Sequence, residues 1–278
     1  MRLGSVVTDL DGTLLGPSRS IAAVDRRTLI ELGARGILRV VATGRSLFSA
    51  RAVLGADVPI DYLIHSSGAG IVSWPDERPV RVLHMAPPSA LRLARELSER
   101  DLDFMLHRPI PDNHRFWFRR STRQNADFAR RLSQYAAHAE PLEEPPQIAR
   151  ELCQALVIAP PSSADLHAEL TRTLSEWSVL RATSPLDGAS TWVEIFPRGV
   201  CKSEAAAWLC KARGLGSTAS LGVGNDYNDV DLLDWAEFAI VVGNAPEELR
   251  ARYRSVAAHD QGGFTEAVRH ALAQSDSE

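Results

Sequence analysis

The chain has 278 residues, 45% of them hydrophobic, so it can bury a full core in one large domain or two modest ones. The formal charge of -4 is spread along the sequence, which argues against a nucleic-acid partner. Three cysteines without a CxxC pair indicate neither a disulfide framework nor a cysteine zinc site. The start lacks a signal-peptide pattern and no apolar run reaches the roughly 20 residues of a membrane span, so we expect a cytoplasmic protein without a membrane partner.

The first third of the chain alternates short apolar runs with helical patterns, which is typical of crossover connections in a parallel sheet. The pattern predicts strands at 6–10, 37–42 and 62–65, helices at 21–34 and 46–54, and a hairpin at 70–74 and 80–83. After residue 201 the alternation returns, with predicted segments at 219–223, 230–236, 238–242, 246–253 and 264–273. These two parts therefore predict a doubly wound α/β core with a mostly parallel sheet.

The middle of the chain has a different pattern of predicted helices and strands. Helices are predicted at 87–100, 125–138 and 164–177, and strands at 103–107, 115–119, 155–159 and 179–183. We interpret this part as an inserted α+β domain, which gives a core of residues 1–84 and 190–278 and an insert of residues 85–189.

Asp9 and Asp11 lie at the end of the first predicted strand, in the segment Asp-Leu-Asp-Gly-Thr. Two carboxylates two residues apart on an extended chain point to the same side, so they can share a metal. One can attack phosphorus while the other exchanges a proton with the leaving group. The alternatives are that they only cap the following turn or form a calcium loop, for which Gly12 has the wrong spacing.

The segment Asp9 to Thr13 resembles the DxDGT motif of the haloacid dehalogenase-like superfamily of phosphohydrolases. Three later segments match the remaining motifs of that superfamily in order: Val41 to Arg45, Glu194 to Lys202 and Leu221 to Asp229. Each segment alone has an ordinary interpretation, as a turn or as a solvated lysine at a helix start. Four motifs in the right order are far more specific than any one of them.

The resemblance implies a magnesium-dependent phosphatase in which Asp9 is the nucleophile and Asp11 the acid and base. It also implies phosphate binding by Thr43, Gly44, Lys202 and Asn228. The implied Mg²⁺ ligands are Asp9, Asp11 through its carbonyl oxygen, and Asn225, with Asp229 close by.

Two positions depart from the superfamily pattern. Relatives commonly carry aspartate where this chain has Asn225, and the neighbouring Asp226 is an alternative ligand if the alignment shifts by one residue. Ser66-Ser67-Gly68 stands where many relatives have Asn-Gly, and the Ser67 hydroxyl can position a phosphate or a water.

The length of the insert and its mixture of predicted helices and strands resemble the cap domain of the Cof-type, sugar-phosphatase-like branch. This resemblance implies that the insert selects the leaving group. Within it, His107, Asn113 and Arg115 are candidates for substrate binding, although the same segment also fits a solvated hairpin loop. The implied substrate is a small phosphorylated metabolite, such as a sugar phosphate. Alternatives are a phosphomutase or phosphotransferase and a non-catalytic binding module, and the protein is expected to be a monomer or homodimer.

Overall fold

The computed structural model describes residues 2–163, 165–216 and 218–275. The chain forms two compact units, which we call the core unit (Met1–Arg81 and Cys201–Glu278) and the inserted unit (Val82–Val200). The predicted helix start at Ala164 and the ends of the predicted core at residues 1 and 278 lie outside the described residues.

The core unit contains a sheet of eight strands in the order β14-β13-β12-β1-β2-β3-β4-β5. Neighbouring strands in this sheet are parallel from β14 to β3, whereas β4 is antiparallel to β3. The strands are β1 (Leu3–Asp9), β2 (Leu38–Ala42), β3 (Tyr62–His65), β4 (Gly70–Ser73), β5 (Pro79–Val82), β12 (Ala219–Gly224), β13 (Phe238–Val241) and β14 (Arg254–Ser255). The helices of this unit are α1 (Ala23–Ala34), α2 (Leu47–Arg51), α6 (Lys202–Ala212), α7 (Val230–Trp235), α8 (Glu247–Arg252) and α9 (Gly263–Ser275).

Helices cover both faces of this sheet. Leu29 of α1 and Phe264 of α9 are buried in one apolar cluster with Val6 of β1, whereas Leu209 of α6 belongs to a second cluster with Val7. Neighbouring residues of β1 therefore point to opposite faces, as a strand covered on both sides requires. The predicted doubly wound α/β core is confirmed.

The inserted unit contains a second sheet, in the order β10-β11-β9-β6-β7-β8. Its pairs are antiparallel except for β7 and β8. The strands are β6 (Phe104–His107), β7 (Phe116–Arg119), β8 (Ala139–Pro141), β9 (Gln154–Ala159), β10 (Trp177–Thr183) and β11 (Thr191–Pro197), and the helices are α3 (Pro87–Glu99), α4 (Ala126–Gln134) and α5 (Leu166–Thr173).

The faces of this second sheet carry separate clusters. Leu97 of α3 and Leu170 of α5 are buried in one with Phe104, while Phe128 of α4 is buried in another with Met105. The α+β character predicted for this part of the chain is present in the inserted unit.

Several boundaries differ from the sequence predictions. Strands β8, β11 and β14 were not predicted, and α4 ends at Gln134 rather than near residue 138 because a short 3₁₀ turn and β8 follow it. The predicted boundary at 189/190 would assign β11 to the core, but β11 pairs along its length with β10 and β9 of the second sheet. The structure therefore places the end of the inserted unit at Val200.

Candidate active site

The ends of three parallel strands bring the first, second and fourth motifs together. In the register of the core sheet, Asp9 of β1 is paired with Ala42 of β2, and Thr8 is paired with Val223 of β12. Thr43 and Gly224 follow at the same edge. Carboxyl ends of parallel strands are the usual site of ligand binding in a doubly wound sheet.

Lys202 connects this edge to the third motif. It is the first residue of α6 and is fully buried, and its Nζ donates to Asp9 Oδ1 at 2.6 Å and to Asp229 Oδ1 at 2.5 Å. A buried ammonium between two buried carboxylates is tolerated because the charges are paired and hydrogen-bonded. The resulting cluster of Asp9, Lys202 and Asp229 is the centre of the candidate site.

Burial, and then the charge of Asp229, raise the pKa of Asp9 to about 7, although Lys202 acts in the opposite direction. Burial alone would lower the pKa of Lys202, but Asp229 and Asp9 raise it above its ordinary value. Lys202 is therefore a fixed positive charge, and Asp9 is poised to change protonation near neutral pH.

The side chain of Asn225 lies between Asp9 and the backbone of Asp11. When its amide nitrogen faces the surrounding acceptors, this nitrogen is 3.2 Å from Asp9 Oδ2, 2.9 Å from the Asp11 carbonyl oxygen and 2.8 Å from Thr13 Oγ1. Gly12 has φ +75°, and a Cβ at that position would lie 2.8 Å from the Asn225 amide. The turn after β1 therefore depends on glycine to admit Asn225.

Asp226, the alternative ligand, is engaged elsewhere. Its side chain accepts from the backbone N–H of Asp229 in a reciprocal capping box, and Asp229 Oδ2 accepts from Asp226 N at 3.1 Å and from Asn225 N at 2.8 Å. Capping of this kind satisfies the first N–H groups of the turn. Of the two neighbours, it is Asn225 whose side chain reaches Asp9 and Asp11.

The oxygens that converge here suit a hard divalent cation. Asp9 Oδ2 and the Asp11 carbonyl supply a carboxylate and a backbone carbonyl, and the Asn225 amide would add a side-chain carbonyl when its oxygen faces them, the orientation in which Oδ1 accepts from Thr13 Oγ1 at 2.8 Å; Mg²⁺ and Ca²⁺ accept these ligand types. The described residues include no cluster of three His, Cys, Asp or Glu side chains arranged around a metal position. A metal at this site would therefore depend on mixed oxygen donors.

The predicted phosphate-binding residues lie on two loops of the core unit. Thr43 is buried, and its Oγ1 accepts from Arg45 N at 3.1 Å, which leaves the hydroxyl proton for another acceptor; Gly44 follows it and is partly exposed. Asn228 is partly exposed on the 3₁₀ turn Tyr227–Asp229. These placements put Asn228 beside Asp229 and Thr43 beside the end of β1.

Ser66, Ser67 and Gly68 form a tight turn after β3. All three have positive φ, and a Cβ on Gly68 would lie 2.3 Å from the carbonyl oxygen of Cys201, next to Lys202. Ser67 N donates to the Thr43 carbonyl at 3.0 Å. The turn thus packs against both the second motif and the start of α6, which explains why glycine is needed there.

Asp11, unlike Asp9, is exposed and forms an ion pair that was not predicted. Arg45 Nε donates to Asp11 Oδ2 and Arg45 Nη2 donates to Asp11 Oδ1, both at 2.6 Å. Arg45 ends the second motif, but nothing in the sequence joins it to a residue 34 positions away. The position of Arg45 directly after Thr43 and Gly44 was the only feature of the sequence that could have indicated a role for it in the site.

The candidate substrate residues of the inserted unit are mostly internal. His107 and Asn113 are buried, and the His107 Nδ1 lies 2.7 Å from the Asn113 carbonyl oxygen, while Arg115 is exposed. Burial lowers the pKa of His107 to about 3, so this imidazole is neutral at pH 7. The segment is a hairpin connection between β6 and β7, exposed at Pro111, Asp112 and Arg115, and only His107 and Asn113 within it are buried.

The sequence profile of the haloacid dehalogenase-like hydrolase family matches residues 6–267. The chain belongs to this family. The predicted resemblance and the predicted enzymatic, hydrolytic class are therefore confirmed. Among the residues the structure describes, no helix is both long and apolar enough to cross a membrane.

A curated relative, the HMP-PP phosphatase of Cronobacter sakazakii, is 26% identical over 258 residues, which cover 90% of this chain and 87% of the relative. Among solved structures, the chain is similar to SMU.1108c from Streptococcus mutans (TM-score 0.77, 18% identity, 98% and 99% coverage) and to BT1666, a phosphatase of this superfamily from Bacteroides thetaiotaomicron (0.74, 21%, 97% and 95%). It is also similar to BT4131, a sugar phosphatase of HAD subclass IIB (0.73, 16%, 96% and 98%). These likenesses confirm the fold of the core and of its insert.

Proposed function

We propose that this protein is a magnesium-dependent phosphatase that hydrolyses a small phosphorylated metabolite through an aspartyl-phosphate on Asp9. The single observation that carries the proposal is the buried Lys202 ammonium held by Asp9 and Asp229 at the edge of the sheet where Thr43 and Asn225 also lie. Family membership supports the same reaction class.

Asp9 attacks phosphorus, and the bond from phosphorus to the leaving-group oxygen breaks. Lys202 keeps the nucleophile oriented through Oδ1 and offsets negative charge that accumulates as the phosphoryl group approaches. Thr43, Gly44 and Asn228 hold phosphoryl oxygens with hydroxyl, backbone and amide donors. These residues supply positioning and charge stabilisation, which dominate catalysis of phosphoryl transfer.

Asp11 gives a proton to the departing oxygen and then takes a proton from the water that attacks the aspartyl-phosphate. The second step breaks the phosphorus–oxygen bond to Asp9, releases inorganic phosphate, frees the Asp9 carboxylate and returns Asp11 to its protonated form. Asp11 suits this work because its side chain is exposed at the turn, whereas Asp9 is buried.

Mg²⁺ would be held by Asp9, the Asp11 carbonyl and Asn225. Asp229 would orient Asn225, because Asp229 Oδ2 accepts from the backbone N–H of Asn225. The cation supplies positive charge that offsets the repulsion between a dianionic phosphate and the carboxylates.

Leaving-group selection is assigned to the inserted unit, with His107, Asn113 and Arg115 as candidate substrate residues. The names of the similar proteins suggest the first substrates: sugar phosphates, and HMP-PP. We place the protein in the cytoplasm, as a monomer or homodimer that needs neither nucleic acid nor membrane.

The test is phosphate release from a panel of sugar phosphates, polyol phosphates and HMP-PP, with Mg²⁺ or with EDTA, by wild type and Asp9→Asn. Release that requires Mg²⁺ and is lost in the variant supports the proposal. Wild-type turnover in Asp9→Asn would remove the nucleophile assignment. Formation of a new phosphorylated product without free phosphate would indicate a phosphotransferase. If no compound of the panel releases phosphate but the protein still binds phosphorylated ligands, the protein is a binding module.

A further inference from the structure

Asp11 and Arg45 form a two-pronged ion pair at the edge of the proposed site. Both carboxylate oxygens of Asp11 accept a hydrogen bond at 2.6 Å, one from Nε and one from Nη2. Such fork-to-fork pairing fixes the plane of the carboxylate as well as its position. An aspartate that is otherwise about half exposed is thereby held in one orientation.

Arg45 is itself anchored by neighbouring elements. Its backbone N–H donates to Thr43 Oγ1 at 3.1 Å, its carbonyl accepts from Ser66 N at 2.7 Å, and its Nη1 donates to the Ser49 carbonyl at 3.3 Å. The Arg45 side chain thus joins the turn after β1 to the segment that contains Arg45 itself. That segment is fixed by hydrogen bonds of the Arg45 backbone to Thr43, at the end of β2, and to Ser66, at the end of β3. Arginine can do this because its planar group offers five donors at once, whereas lysine offers a single point charge.

We propose that Arg45 is a positioning residue that holds the Asp11 carboxylate for proton transfer to the leaving group. This inference rests on the proposed phosphatase function. Proton transfer requires the carboxylate within hydrogen-bond reach of the departing oxygen, and a displacement of about 1 Å can lower a rate about 100-fold. For this step Asp11 carries a proton on one oxygen, and that oxygen turns from Arg45 to the leaving-group oxygen. The other oxygen still accepts from Arg45, whose guanidinium is also held by the Ser49 carbonyl.

A second ion pair in the core unit provides a matched control. Arg39 Nε and Nη2 donate to the two oxygens of Asp61 at 3.0 and 2.7 Å, and Arg39 Nη1 donates to the carbonyl of Leu29 at 3.3 Å. This pair repeats the geometry of Arg45 and Asp11 with a residue of β2 outside all four motifs. Loss of Arg39 reports the structural cost of removing such a pair.

The experiment compares wild type, Arg45→Gln, Arg45→Lys and Arg39→Gln on two substrates: glucose 6-phosphate, with a poor leaving group, and p-nitrophenyl phosphate, with a good one. For Arg45→Gln we expect kcat to fall about 100-fold on glucose 6-phosphate but less than about 5-fold on p-nitrophenyl phosphate, with KM changed less than kcat. Arg45→Lys should recover part of the loss. Arg39→Gln should keep both kcat values.

An equal loss on both substrates, or no loss on either, would overturn the proposal. Absence of phosphate release by wild type would instead count against the phosphatase function. A measurement that does not need turnover follows the ¹⁵Nε–¹H signal of Arg45, assigned by its disappearance in Arg45→Lys. Asp11→Asn should shift this signal, and an unshifted signal would show that the pair does not exist in solution.

Discussion

Lys202 and Asp229 form an ion pair in which both side chains are almost completely inaccessible to solvent, with Nζ 2.5 Å from Oδ1. The same ammonium also binds Asp9. Because two carboxylates depend on one lysine, the electrostatics of the site and the stability of the core unit are linked at this position.

Replacement of Lys202 by methionine should lower the free energy of unfolding by about 3–5 kcal/mol, because it leaves two buried carboxylates without their cation. Phosphate release should be lost as well. Urea denaturation measures the first effect. Lys211→Met, at an exposed position near the end of the same helix, is the control and should change stability by less than about 0.5 kcal/mol. Similar stability of the two variants would contradict the predicted cost.

In EDTA, the free energy of unfolding should fall as pH rises from about 4 to about 7 because of Asp9. Burial and Asp229 raise the pKa of Asp9 from 3.8 to about 7, so the folded protein keeps a proton that the unfolded chain has released. The contribution reaches roughly 4 kcal/mol at most. Asp9→Asn should lack this slope, and Mg²⁺ should reduce it in wild type by favouring the carboxylate. Parallel pH profiles of wild type and variant would contradict the shift.

His107 should act in the opposite direction in the inserted unit. Burial lowers its pKa from 6.5 to about 3, so on acidification the unfolded chain binds a proton before the folded protein does. Relative to His107→Gln, wild type should lose about 3 kcal/mol of stability between pH 7 and pH 4. Denaturation curves at the two pH values measure this. A constant difference between the two proteins would show that the histidine is not buried in the neutral form.

Gly68→Ala should both destabilise the protein and impair catalysis. Gly68 has φ +109°, and an added Cβ would lie 2.3 Å from the Cys201 carbonyl oxygen, so the turn must move away from the start of α6. Gly36→Ala is the matched control, since Gly36 has φ +71° but no atom within 4 Å of the added Cβ. We expect the control to cost about 1 kcal/mol with normal turnover, and Gly68→Ala to cost at least about 2 kcal/mol more. Equal losses would show that the close approach does not constrain the turn.

Asn225→Asp should bind Mg²⁺ about 10-fold more tightly, because a second carboxylate joins Asp9 among the ligands. In EDTA the same change should lower the melting temperature, since the new charge lies close to Asp9 Oδ2. Calorimetric titration with MgCl₂ measures the affinity. Asn228→Asp adds the same charge three residues away and should alter Mg²⁺ affinity less. An equal gain in both variants would indicate that general charge, rather than ligation by residue 225, sets the affinity.

The sequence alone was enough to predict the family and the α/β core, and to name most of the residues proposed for the site. Parallel strands place their carboxyl ends at one edge, so the order of strands and motifs was enough to predict that Asp9, Thr43 and the segment after β12 meet. The insert was recognisable because its pattern differs from the alternation on either side.

Tertiary structure decided the features that depend on which side chain faces which neighbour. Asn225 and Asp226 are adjacent, and only the three-dimensional turn directs the first toward Asp9 and the second into a helix cap. Strand β11 belongs to the second sheet because of its partners β9 and β10, and an apolar run does not specify its partners. The pairing of Arg45 with Asp11 arises in the same way, since residues far apart in sequence meet only when the strands have aligned.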